Sequence, residues 1–195
     1  FTILHSASKI LSNHQLKIEI ASQNVNDNNS GAFTGEVSAE MIKDCKVDYT
    51  IVGHSERRTL HNESNKVLRK KMQRALEQNL KVIFCVGESL TKYKQNKSIQ
   101  FIKTQLINAF SSNINFKDII LAYEPIWAIG TNIIPKMNEI DNVHSTIKET
   151  MRKKFNITNI PVLYGGSVKA SNSAEIFSLN NVDGGLIGGA SLIAS

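Results

Sequence analysis

Residues 119–131 read Ile119-Ile120-Leu121-Ala122-Tyr123-Glu124-Pro125-Ile126-Trp127-Ala128-Ile129-Gly130-Thr131. The run up to Tyr123 is apolar or aromatic on consecutive rather than alternate positions. Such a pattern marks a strand covered on both faces, the situation of a parallel sheet. The strand stops on a carboxylate, and an apolar loop with a large aromatic side chain follows. Taken alone, Glu124 is either half of a buried ion pair or a general base whose basicity rises when the loop closes over it and excludes water.

Working outward, comparable runs occur at residues 17–21, 49–52, 81–86, 161–164 and 185–187, making six candidate strands. Helical faces lie between them. Val67, Leu68, Met72, Ala75 and Leu76 share one face; so do Ile99, Ile102, Leu106 and Phe110; so do Met137, Ile140, Val143 or His144, Ile147 and Met151. Strict alternation of strand and helix leaves an open doubly wound sheet or a closed (β/α)8 barrel. No Gly-x-Gly-x-x-Gly turn follows residues 17–21, as a dinucleotide fold requires. Instead, residues able to do chemistry stand just after several different strands: Gln23 and Asn24, His54, Glu88, Glu124, Gly165 to Ser167 and Gly188 to Ser191. Active sites assembled from many strand ends belong to the barrel.

A barrel of this kind has eight strands in roughly 250 residues, against six in 195 here. The sequence therefore predicts an incomplete α/β barrel, a single partial domain over residues 1–195. It opens on a helical face of Ile3, Leu4, Ala7, Ile10 and Leu11 and closes on Leu192-Ile193-Ala194-Ser195, directly after the last glycine turn. Strands are expected to precede Phe1 and a covering helix to follow Ser195. Without them, two sheet edges near residues 17–21 and 185–187 would expose apolar side chains.

Composition sets the broad class. With 41% hydrophobic and 21% charged residues and 3 Pro, the chain is neither disordered nor fibrous. No uncharged apolar stretch reaches the roughly 18 residues of a membrane span, and residues 1–12 lack the pattern of a secretory leader. A cytoplasmic protein is expected, with no membrane partner. The net charge of +6 is scattered, and the Arg69-Lys70-Lys71 and Arg152-Lys153-Lys154 triplets fall on helical faces. Solvated helix faces, not a nucleic-acid surface, are the expectation, and the positive field would speed encounter with a phosphorylated metabolite. Cys45 and Cys85, forty residues apart, form neither a disulfide framework nor a zinc motif and are expected to be buried thiols.

Three further motifs carry chemistry. Ile51-Val52-Gly53-His54-Ser55-Glu56-Arg57-Arg58 places His54 at a strand end before a short helix, either as a structural residue or as an imidazole kept neutral by nearby backbone donors. Leu163-Tyr164-Gly165-Gly166-Ser167 and Ile187-Gly188-Gly189-Ala190-Ser191 are glycine turns after the last two strands. They are tight turns only, or the amide cradle that holds a phosphate at this end of a barrel.

Together these motifs closely resemble the triosephosphate isomerase family, in order and over essentially the whole chain. Gly-His-Ser-Glu-Arg-Arg at 53–58, Tyr-Glu-Pro-Ile-Trp-Ala-Ile-Gly-Thr at 123–131, Tyr-Gly-Gly-Ser at 164–167 and Gly-Gly-Ala-Ser at 188–191 carry the likeness, with Gln23-Asn24 and Gly31 to Glu36 fitting the family's third strand and loop. The resemblance implies a TIM barrel that interconverts dihydroxyacetone phosphate and glyceraldehyde 3-phosphate through an enediolate, with no cofactor and no metal. It implies Glu124 as general base, neutral His54 as electrophile and proton shuttle, and Glu56 as the carboxylate beside that histidine. Gly130, Ser167, Gly188 and Gly189 would bind the substrate phosphate, and residues 125–131 would begin the lid. Glu63 and Cys85 match buried supporting positions, and Glu88 is read as structural. Thr34 matches the residue that reaches a partner's site, which implies a homodimer. His5, His14, His61 and His144 match no catalytic position and are read as surface or helix-face residues.

The chain departs from the family pattern in its lid, Gly130-Thr131-Asn132-Ile133-Ile134, where a second glycine and a lysine are usual after the threonine. The family's substrate-binding Asn and Lys lie on a first strand that would precede Phe1. Loss of that lysine would cost on the order of a thousandfold in rate. Two readings stand: a triosephosphate isomerase active when whole, or an inactive remnant of the same family. A different phosphate-handling barrel leaves the motifs at 53–58 and 123–127 unexplained.

Overall fold

The computed structural model describes residues 1–110, 114–131 and 133–192. Strands β1 (Ala21–Ser22), β2 (Tyr49–Val52), β3 (Lys81–Val86), β4 (Ile119–Tyr123), β5 (Val162–Tyr164) and β6 (Gly184–Gly185) form one six-stranded sheet in sequence order. Every neighbouring pair is parallel. Helices α1 (Leu4–Asn13), α2 (Ala39–Asp44), α3 (Ser55–Leu60), α4 (Asn65–Glu77), α5 (Leu90–Lys94), α6 (Ser98–Ala109), α7 (Met137–Phe155) and α8 (Ala170–Phe177) lie between and around the strands. Because each crossover moves one place in the same direction, the sheet curls into a half-barrel, as the loop chemistry predicts.

Local sequence explains where the helices begin and end. Ser38, Ser64 and Ser89 accept hydrogen bonds from the N–H groups of Met41, Val67 and Lys92, starting α2, α4 and α5. Asn156 stops α7 in the left-handed conformation at φ 58°, and Asn62, Asn79 and Asn96 adopt the same region. An asparagine-rich chain thus places its stops on a residue that tolerates them.

The central strands carry the core. Phe84, Cys85 and Val86 of β3 and Leu121, Ala122 and Tyr123 of β4 are buried on consecutive positions, whereas β2 alternates. Leu68 and Met72 of α4, Ile102 and Leu106 of α6, and Ile140, Ile147 and Met151 of α7 are fully buried against them. Each such side chain contributes about 1.5–3 kcal/mol. Phe84, Phe110, Phe116 and Phe155 pack ring on ring where α6 and α7 meet the sheet, with centroids 5.0–5.9 Å apart.

The edges depart from expectation. The first strand is Ala21–Ser22, not residues 17–21, because only those residues find a ladder partner, in Tyr49 and Thr50. Ile18 is 60% exposed. The last strand is Gly184–Gly185 rather than 185–187, although Leu186 extends the pairing by donating its N–H to the Tyr164 carbonyl at 2.9 Å. On α1 the expected apolar face buries only Leu4, and Ile3 and Ile10 stay 70% and 57% exposed, since no described residue covers that face. Cys85 is buried as expected, but Cys45 is only partly so, at the C-cap of α2. His144 is not a surface residue. It is completely buried, its ring packed against Tyr123 and Tyr164 at centroid distances of 5.8 and 6.3 Å.

Candidate active site

The end of β2 forms a turn at Gly53, whose φ of +79° disfavours a side chain and whose missing Cβ leaves room for Arg58, Leu68 and the Cys85 carbonyl. His54 follows as the N-cap of α3, and its Nδ1 accepts the Glu56 N–H at 3.3 Å. This bond places the ring proton on Nε2, which lies 2.9 Å from Glu124 Oε1. The Ser55 N–H donates to Glu124 Oε2 at 3.0 Å, so both carboxylate oxygens face the same turn. Arg58 braces it from below, donating to the Gly53 carbonyl at 2.8 Å, Asn65 Oδ1 at 2.9 Å and the Cys85 carbonyl at 2.9 Å.

Two influences act on His54: the backbone N–H at Nδ1 favours a neutral ring, while the Glu124 carboxylate, which accepts the Nε2 proton, raises its pKa above the ordinary value. Direct contact with an anion outweighs the diffuse backbone field.

Glu124 sits at the end of β4, only 2% exposed, with its N–H donated to the Val86 carbonyl at 2.8 Å. Two glycines make room for it. A Cβ on Gly87 would fall 1.7 Å from the Glu124 carbonyl oxygen, and one on Gly165 would fall 3.0 Å from its Cγ. The Cys85 thiol is pushed well up by burial and by the nearby Glu124 charge, so it stays protonated.

Beyond Glu124, residues 126–128 make one 3-10 turn. Trp127 stacks on Tyr93 at 4.1 Å and donates its Nε1–H to Glu88 Oε1 at 2.9 Å. Tyr123 and Ser98 donate hydroxyls to the same oxygen, each at 3.2 Å. Glu88 is fully buried, its pKa raised by that burial, and it anchors the start of the loop that follows β4. The Ser167 hydroxyl donates to the Ala128 carbonyl, tying this loop to the first glycine turn. Of the unusual lid residues, Asn132 lies outside the described residues, while Ile133 and Ile134 are 52% and 38% exposed.

Gly188 and Gly189 lie after β6 in exposed chain, and a Cβ on either would meet nothing within 4 Å. His54, Glu56, Glu124, Gly130, Ser167, Gly188 and Gly189 all line one cavity of about 940 Å³. Glu56 lines it as a rim residue: its side chain is 71% exposed, and its Oε2 stands 3.7 Å from His54 Nδ1, too far for a hydrogen bond. Thr34 is elsewhere, on the exposed loop between β1 and α2. Below the rim, Lys71 is buried between Asn24 Oδ1 and Glu63 Oε1, each at 2.7 Å, and Arg57 reaches the same Glu63 oxygen at 2.6 Å. Among the described residues no group of three or more His, Cys, Asp or Glu could hold a metal ion, and no helix is long and apolar enough to cross a membrane.

Sequence reasoning did not single out Ser55, Gly87 or Arg58. Ser55 acts through its backbone N–H and Gly87 through an absent side chain, so neither residue type signals its part. Arg58 could have been found, since an arginine five residues past a strand-end glycine is placed to cap exposed carbonyls.

A family model described as triosephosphate isomerase matches residues 1–195. The chain is 42% identical over 199 positions to the triosephosphate isomerase of Alkaliphilus oremlandii, covering all of this chain and 79% of that protein. It is 45% identical over 179 positions to that of Phocaeicola vulgatus, covering 90% of this chain and 71% of that protein. The crystal structure of triosephosphate isomerase from Bartonella henselae superposes with a TM-score of 0.90 at 38% identity, covering 98% of this chain and 77% of that one.

Proposed function

Since the chain belongs to the triosephosphate isomerase family, we propose that it interconverts dihydroxyacetone phosphate and glyceraldehyde 3-phosphate with Glu124 as the base and His54 as the electrophile. The observation that carries this reading is the contact of His54 Nε2 with Glu124 Oε1 at 2.9 Å, inside a cavity that also holds both glycine turns.

A bound substrate replaces that contact. Glu124 takes a proton from the carbon beside the carbonyl, and the electron pair moves onto the carbonyl oxygen. The Nε2–H of His54 is directed at that oxygen and supplies its proton. The enediol then loses a proton from the neighbouring oxygen to the imidazole, and Glu124 returns its proton to the second carbon. Protons and electrons balance without an external oxidant or reductant. Glu56 acts through the N–H that fixes the imidazole tautomer, while Gly130, Ser167, Gly188 and Gly189 supply amides to the phosphate. Thr34, exposed on its loop, suits contact with a second copy in a homodimer, and a cytoplasmic location fits the family's metabolic substrate. The reading of an inactive remnant is not favoured, because the family match runs through residues 1–195.

A coupled isomerase assay tests this. Wild type should turn over, and Glu124→Gln should lower kcat by about a thousandfold, the typical contribution of a general base. A silent wild type, or a Glu124→Gln enzyme at full rate, overturns the assignment.

A further inference from the structure

The loop that follows β4 begins at Pro125 and ends at Lys136, the N-cap of α7, and its Ile129 and Gly130 line the cavity beside Glu124. Among the described residues no hydrogen bond joins residues 125–128 directly to residues 133–139. One side chain from outside the loop meets both ends. The Tyr93 ring stacks on Trp127 with centroids 4.1 Å apart and planes 27° from parallel, and its hydroxyl donates to Glu139 Oε1 at 3.1 Å. Glu139 in turn accepts the Lys136 N–H on Oε2 at 3.0 Å.

Tyr93 stands on α5, which is itself held on α6. The Lys92 ammonium lies 5.8 Å from the centre of the Phe101 ring, and the Lys97 N–H donates to the Lys92 carbonyl at 2.9 Å. At the loop's start Trp127 is fixed to Glu88, and at its end Pro135 is buried directly before the helix cap. Between these points the contacts are slight: the Thr131 hydroxyl donates to the Trp127 carbonyl at 3.1 Å and accepts the Ile133 N–H at 3.3 Å. A loop whose ends are already tied has fewer arrangements to lose when it orders over a ligand.

We propose that Tyr93 is a positioning residue, a strap that ties the two ends of residues 125–136 together so that residues 129–134 order over Glu124 from a fixed base. Its bearing on turnover rests on the proposed function; the tie between the loop ends does not.

Trp127 is the only tryptophan of the chain, so its fluorescence reads one end of the loop alone. The test is acrylamide quenching of that signal in variants altered at the other end. Glu139→Ala, which acts on the far end, and Tyr93→Phe, which keeps the ring, should each raise quenching. The double variant should raise it no further than either, the mark of one shared interaction. Tyr93→Ala should raise it most and lower kcat/KM about two- to tenfold, the scale of one aromatic pair. Quenching unmoved by Glu139→Ala, additive effects in the double variant, or a Tyr93→Ala chain that melts earlier with quenching and kcat/KM unchanged would overturn the proposal. The shared effect in a chain without isomerase activity would sink the catalytic reading alone, while an active enzyme in which Glu139→Ala goes unfelt at Trp127 would sink this one alone.

Discussion

At the ends of β2 and β4 each polar atom of the His54–Glu124 pair is held: Nδ1 by the Glu56 N–H, Nε2 by Oε1, and Oε2 by the Ser55 N–H. At the end of β6, Gly188 and Gly189 stand in exposed chain with open space around them. Proton transfer between carbon and oxygen loses rate steeply with sub-ångström error, so its donors must be positioned before substrate arrives. The phosphate proposed for this end is large, nearly symmetric in its oxygens and satisfied by several amides, so a cradle for it tolerates a looser frame. One cavity thus contains a rigid end and an adaptable end.

The sharpest way to break this contrast is Gly87→Ala. The new Cβ would need space now occupied by the Glu124 carbonyl, 1.7 Å away. The backbone must shift, and a displacement near 1 Å costs about a hundredfold in kcat. Thermal melts and kcat should both fall; a Gly87→Ala chain with wild-type turnover would show that the rigid end is not rigid.

A second prediction concerns the residue beneath both ends. Tyr123 precedes Glu124 and Tyr164 precedes the first glycine turn, and His144 packs between them with its pKa pushed down from 6.5 to about 4 by burial. The unfolded chain therefore binds more protons than the folded one between those values. Stability is fully present above the unfolded value and is lost as pH falls toward about 4, by about 3 kcal/mol. His54 works in the opposite sense. Its raised folded pKa gives stability that is present at low pH and lost as pH rises through that value. Denaturant titrations should show His144→Gln removing most of the acid-side loss. An unchanged acid limb would mean that His144 is not the group whose protonation opposes folding.

The smallest effect is expected at Gly188→Ala. With nothing within 4 Å of its Cβ position, stability should change by less than about 0.5 kcal/mol. Substrate KM should rise while kcat holds closer to wild type, because the methyl group borders the phosphate and not the reacting carbons. A large loss of stability here would erase the distinction between the two ends.

What the sequence disclosed follows the same division. The runs at residues 49–52, 81–86 and 119–123 coincide with β2, β3 and β4, because strands with partners on both sides and helices packed over them must be apolar. The edge strands were misplaced because no described strand pairs on their outer side to mark which residues belong to the ladder. His54 and Glu124 were legible as neighbours because both follow directly on apolar strand runs, and the structure brings them 2.9 Å apart. Ser55 and Gly87 were not, since a backbone N–H and a missing Cβ leave no trace in residue type. His144 was left open between the surface and the apolar helix face, because a single imidazole on an amphipathic helix looks the same whether it faces solvent or two tyrosine rings; the structure buries it together with Val143.

β2 and β4 are not neighbours in the sheet; β3 lies between them. The Ser55 to Glu124 hydrogen bond therefore closes a separation of 69 residues across the top of an intervening strand. Loop-closure entropy over that span is met only after the β2–β3 and β3–β4 ladders have formed. In folding time, the site is a late event that reports completion of the central sheet. A chain halted before β4 carries His54 without its carboxylate partner, and a chain with β3 displaced carries both but holds them apart.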